Sequence, residues 1–182
     1  RTENMYTKAQ VDYFAGQASL AGTQFDQAYS SFLDAVLNSP QAYDAYSGLV
    51  ELVNAGYPVD EYQRGLVDYY AGEYAVAIQA FDRYMSDAPA YPAAALYYKG
   101  LAYNSMGDSY TAVEVWNNVI DNYPSSEQWD EAWEMKAYIQ WAYLDQYSEA
   151  EQTLLGFVAA APAHPRASEF LYDAARVDEL PR

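Results

Sequence analysis

Apolar residues recur along this chain three and four positions apart, in runs separated by short breaks rich in Gly, Pro and Asn. That spacing lines up one face of an α-helix. A first helix is expected over about 6–21, with Tyr13, Ala15, Gly16 and Leu20 inward, and a break at Gly22 and Thr23. Its partner over 25–38 carries Ala28, Phe32, Ala35 and Val36 and stops at Ser39–Pro40. Residues 41–55 read as another amphipathic helix through Tyr43, Tyr46, Leu49, Val50 and Val53, closed by Gly56 and Pro58. Asp60 is placed to cap a helix over 59–71, Gly72 turns the chain, and 74–86 follows. Leu96, Gly100 and Tyr103 then share one face, Gly107 breaks it, and Ala112, Trp116 and Val119 share the next, which Pro124 ends. Ser125 or Ser126 caps 127–144, with Trp129, Trp133, Ala137 and Trp141 along one side. Ser148 opens a helix ending at Ala161–Pro162, and 165–177 is the last, before a frayed or cut end at Leu180, Pro181 and Arg182. The sum is about ten helices and no strand.

The runs repeat. Gly16, Gly65 and Gly100 stand 49 and 35 residues apart, and Ala28, Ala77 and Ala112 keep the same steps. So do Phe32, Phe81 and Trp116, and so do Pro40, Pro89 and Pro124. Ala150, Leu154 and Pro162 fit a fourth copy, in which Tyr138 occupies the glycine position. A glycine followed three residues on by Tyr103, then Ala112, Trp116 and Pro124, resembles the tetratricopeptide repeat, a helix–turn–helix unit of about 34 residues. The resemblance implies an all-α, helical-hairpin solenoid, an α–α superhelix, forming one domain over 1–182. Its units span about 6–40, 59–89, 91–124 and 127–162, with a terminal helix over 165–178. The small residues are expected to let paired helices touch, Gly65 facing Ala77 and Gly100 facing Ala112. Helix 41–55 breaks the pattern: counted from Gly48, the alanine position falls on Asp60, so this helix is extra, without a partner in register.

Charge and composition narrow the function. Nine basic against 26 acidic residues leave a net charge of −17. Such a surface repels phosphate backbones and anionic lipid, so nucleic acid is excluded as a partner. Like-charge solubility and selection of a basic partner both remain open. There is no cysteine, hence no disulfide, thiol catalysis or thiolate metal site. No stretch of 18 apolar residues suggests membrane insertion, and no signal peptide opens the chain. A sequence beginning with Arg1 reads as a piece of something longer.

Candidate chemistry is sparse. His164, the single histidine, is expected in an exposed loop. Asp130, Glu131 and Glu134, and Glu149 with Glu151, sit at helix starts, where the helix dipole accepts negative charge without any catalytic role. No phosphate-binding loop, nucleophile elbow or metal-binding helix motif occurs, so neither a cofactor nor catalysis is expected. A protein- or peptide-binding scaffold fits better. In the family, first helices line a groove, and register carries that role to Tyr13, Tyr62, Leu66, Tyr69, Tyr70, Tyr97, Leu101, Asn104, Met135, Ile139 and Tyr143. The cations with which some relatives clamp a peptide carboxylate are missing from these positions. The same side chains would otherwise pack between helices.

A second resemblance is looser. Residues 52–60, 63–66, 69–74 and 77–78 look like the helical region ahead of the catalytic domain in some bacterial soluble lytic transglycosylases, and 170–176 is similar to the segment that follows it. It implies an alternative: a non-catalytic, substrate-guiding module outside the cytoplasmic membrane, with peptidoglycan as a possible partner. The Glu-Ser motif of that family's catalytic domain is not present.

Overall fold

Ten α-helices and no strand make up the described residues, 4–87, 90 and 92–179, of the computed structural model. The expectations at Pro89, Tyr91 and Leu180–Arg182 lie outside them. The chain divides into two compact units, Arg1–Pro89 and Ala90–Arg182. The first holds α1 (Met5–Ala21), α2 (Phe25–Asn38), α3 (Tyr43–Asn54), α4 (Glu61–Tyr70) and α5 (Tyr74–Ser86). The second holds α6 (Pro92–Ser105), α7 (Ser109–Asn122), α8 (Trp129–Ala142), α9 (Tyr147–Ala160) and α10 (Ala167–Asp178).

Within each unit, consecutive helices pack as hairpins: α1 on α2, α4 on α5, α6 on α7 and α8 on α9. At Gly16, Gly65 and Gly100 the tightest contact is with a ring on the second helix. A Cβ added to Gly16 would lie 2.3 Å from the Phe32 ring. At Gly65 it would lie 2.5 Å from the Phe81 ring, and at Gly100 2.5 Å from the Trp116 indole. The glycine is therefore a seat for a fully buried ring sixteen residues later, and Ala77 and Ala112, four residues before the ring, are also fully buried. A ring offers far more apolar area than an alanine methyl, and the missing side chain gives it room. Trp116 adds a hydrogen bond, its Nε1 donating to the Tyr97 carbonyl at 3.2 Å.

The turns also keep register. The residue seven after each seat has positive φ: Thr23 (59°), Gly72 (84°), Gly107 (85°) and Asp145 (54°). The break in the first hairpin thus falls on Thr23, a β-branched residue in a conformation that costs it strain, while Gly22 stays at φ −84°. Asp60 caps α4 by accepting from the Tyr62 and Gln63 amides at 3.0 and 3.1 Å. Ser125 and Ser126 do not cap α8, which begins at Trp129 after Gln128.

The helix without a register partner is α3. It packs on both α1 and α2 and also touches α4. Gly48 brings its backbone against Phe32, whose Cβ lies 3.3 Å from where an added methyl would stand. Phe32 is thus held between glycines of two helices, and Leu49 and Leu52 join Val36 and Val67 in one cluster.

The fourth hairpin inverts the rule. Tyr138, at the seat position, is 41% exposed, and Leu154 stands where the other hairpins carry a ring. The glycine is instead Gly156 on the second helix, and the ring over it is Trp133 from the first, at 3.1 Å from an added Cβ. A buried hydrogen bond from Thr153 Oγ1 to Gln140 Oε1 (2.7 Å) ties the pair, and Trp129 Nε1 donates to the Ile120 carbonyl of α7 at 3.1 Å.

Gly100→Leu must displace a fully buried indole. Thermal unfolding should show a loss of about 2–4 kcal/mol, whereas Gly156→Ala, with a looser contact, should cost less than half as much.

One buried carboxyl supplies a second test. Asp68 on α4 is only 4% exposed. Burial pushes its pKa up to about 6, with Glu73 and Glu61 acting the same way and Arg64 and Arg83 opposing. From α3, Tyr46 also faces it. The folded protein holds this proton more tightly than the unfolded chain, so its contribution is greatest at low pH and is lost as pH rises from about 4 to about 6. Asp68→Asn should remove that slope and raise stability at pH 7.5 by on the order of 1–3 kcal/mol, read by denaturant titration at pH 4.5 and 7.5.

Candidate functional site

The sequence placed a groove on the first helices of the hairpins, and the structure distributes those residues among several roles. In the first unit Tyr13 is half-buried on Phe32, with ring centroids 5.7 Å apart, and its hydroxyl accepts from Gln17. Tyr62 packs on Phe81 and Tyr84, at 6.2 and 5.3 Å. Leu66 is buried, a correction to its place on a groove, because it lies beside the Gly65 seat where the hairpin closes. Tyr69 meets Tyr70 edge-on at 5.2 Å, and Tyr70 is exposed.

In the second unit Tyr97 stands edge-on to Tyr98 at 5.8 Å, and Leu101 is half-buried. Asn104 Oδ1 accepts from the Ser109 hydroxyl at 2.9 Å, so that oxygen is occupied in joining α6 to α7. Ile139 is fully buried and is likewise corrected from groove to core. Met135 on the same helix lines a cleft, and Tyr143, just past the helix end, is exposed, 5.9 Å from Tyr138.

That cleft lies between α8 and α10, with a volume of about 260 Å³. Met135, Tyr138 and Trp141 of α8 form one wall, Leu154 of α9 the floor, and Asp173, Arg176 and Val177 of α10 the other wall. Glu134 stands at the rim. Of the eleven expected positions only Met135 is in it. Tyr138, Trp141, Asp173 and Arg176 escaped sequence reasoning, although one signal was present. A tyrosine at the seat position cannot be accommodated inside a hairpin, so it must point out of it.

The far wall is braced by Arg166, just before α10. Its Nη1 donates to Asp130 Oδ2 at 2.9 Å and its Nη2 to Glu134 Oε2 at 2.6 Å, both on α8. It also grips Glu169 with two nitrogens, at 3.0 and 3.1 Å. The hydrogen bonds with Glu169 foremost, then those with Asp130 and Glu134, raise its pKa further, so it is charged at every accessible pH. Its guanidinium lies 5.2 Å from the Phe170 ring centroid, and Phe170 is stacked on Phe157 at 3.8 Å. His164 is half-buried rather than loose in solvent, edge-on to Phe157 at 5.2 Å, with Nδ1 accepting from the Arg166 amide. Asp130 and Glu134 thus do more than face a helix dipole: they fix the position of α10. Among the described residues no helix is long and apolar enough to cross a membrane.

Comparison with known families gives a match to the tetratricopeptide repeat over residues 94–126. It covers the α6–α7 hairpin and its Gly100–Trp116 seat. No curated protein and no solved structure matches the chain. The chain is a helical-repeat scaffold.

Arg166→Met should loosen α10 and leave three carboxylates facing one another. A loss of about 1–2 kcal/mol is expected at low ionic strength. The gap between variant and parent should narrow in 1 M salt, read by thermal unfolding in the two buffers.

Proposed function

Taking the chain as one that carries a tetratricopeptide repeat at residues 94–126, we propose that it binds a segment of another protein and that the α8–α10 cleft is where the second unit takes hold of it. The observation that carries this is Tyr138: a large aromatic residue, two-fifths exposed, where three other hairpins place glycine. An aromatic ring left partly in water and set beside Trp141 and Met135 is a surface suited to burial against a partner. Met135 adapts its shape to what it meets. The volume is small for a whole ligand, so it suits one or two anchoring side chains of a longer segment. Tyr143, exposed beside Tyr138, extends the same surface. Tyr62, Tyr69, Tyr70 and Tyr97 remain proposed contacts on their own hairpins, of which Tyr70 is the most accessible. The reading as a peptidoglycan-guiding module rests on its sequence resemblance alone, and no feature of the cleft favours it.

Panning a displayed random-peptide library on the immobilised chain tests the proposal. Binders should be enriched on the parent and retained at least about tenfold less by Tyr138→Ser, while Tyr110→Ser, an exposed tyrosine on α7, should retain them fully. Failure to enrich, or equal retention by Tyr138→Ser, would overturn it.

A further inference from the structure

Among the described residues, the cleft lining holds two charged groups that no ion pair answers, Asp173 and Arg176. Asp173 of α10 is half-buried in its wall, and among the described residues no hydrogen bond or ion pair engages its carboxylate. Arg176, three residues on and also in the cleft lining, makes no ion pair with it; its guanidinium lies 5.8 Å from the centroid of the Tyr172 ring. On the opposite wall, Glu134 meets Arg166 through Oε2 only. Glu134 and Tyr138 are four residues apart on α8, so they stand on one face, one above the other. Beyond them Tyr138 and Trp141 meet edge-to-face, centroids 5.5 Å apart and planes at 84°, which makes a right-angled aromatic corner.

A half-buried carboxylate in a cleft with aromatic walls is complementary to one kind of side chain: a cation on an apolar stem. The rings take the stem and attract the charge through their π faces, and the carboxylate pairs with it. The field around the site acts in the same direction. Residues 90–182 contain five basic and fourteen acidic side chains, which concentrates cationic segments near the surface and speeds their capture. Resting on the cleft reading above, we infer that the α8–α10 cleft selects an arginine or lysine side chain of a basic peptide segment, with Asp173 as its charge partner and Tyr138 and Trp141 as its walls. The opposite choice, a peptide carboxylate on Arg176, would place that anion among Glu134 and Asp173 and is disfavoured for that reason.

Two capped pentapeptides decide it: acetyl-Gly-Leu-Arg-Leu-Gly-amide and the same peptide with citrulline for arginine, which keeps the shape and removes the charge. Binding is followed by the shift of the Trp141 indole resonance, assigned with Trp141→Phe. At low salt the arginine peptide should bind at least about tenfold more tightly. Asp173→Asn should erase most of that advantage while leaving the citrulline peptide unchanged, and added salt should shrink it. Equal binding of the two peptides, binding of neither, or an advantage that survives Asp173→Asn overturns the inference. The panning experiment decides separately whether the cleft binds peptides at all, so the two failures are distinguishable. Stronger binding of an uncapped peptide that depends on Arg176 would also overturn it.

Discussion

The hairpins of this molecule are closed by a ring resting on a glycine. In three hairpins the first helix omits a side chain at one position and the second fills the gap with Phe32, Phe81 or Trp116. The arrangement constrains both helices at once. The glycine fixes how close the backbones come, and the ring, too large to fit elsewhere, fixes their relative register. Because a fully buried ring has no alternative rotamer to occupy in a close-packed interior, the hairpin is specified more sharply than by hydrophobicity alone. The intervening turn is adapted to that geometry, with a left-handed residue seven positions beyond the seat even where the residue is threonine or aspartate.

The fourth hairpin shows how the packing changes once that constraint is relaxed. Exchanging the roles of the helices, so that Trp133 sits over Gly156, keeps the pair closed but frees the old seat. A tyrosine can then occupy it facing outward, and a leucine can replace the ring opposite. The cleft is the space these two changes leave. The cleft thus accompanies a local rearrangement of core packing, next to the Arg166 cluster that ties the start of α10 to α8.

Much of the fold was legible in the sequence because the relevant signals are local and repeated: helical periodicity, turn glycines, and four residue types returning at the same steps. The ring over the glycine was less legible, because a sequence gives spacing but not which of two nearby small or large residues comes closest. Gly100 precedes Ala112 and Trp116 by twelve and sixteen residues, and both fall on the same helix face. The site was less legible. Register transfer assumes that every hairpin is built alike, and it failed at Leu66 and Ile139, which lie inside the core, and at the one hairpin that is built differently. Asp173 and Arg176 belong to a terminal helix with no counterpart in the repeat, so no register could point to them.

The sixteen-residue interval between seat and ring in three of the hairpins has a kinetic meaning. Each such contact closes only a short stretch of chain, so a hairpin can assemble without waiting for distant segments to meet. Chains dominated by contacts of this range fold fast and have little need of a single obligatory nucleus. The order in which the hairpins form is then set by their individual stabilities.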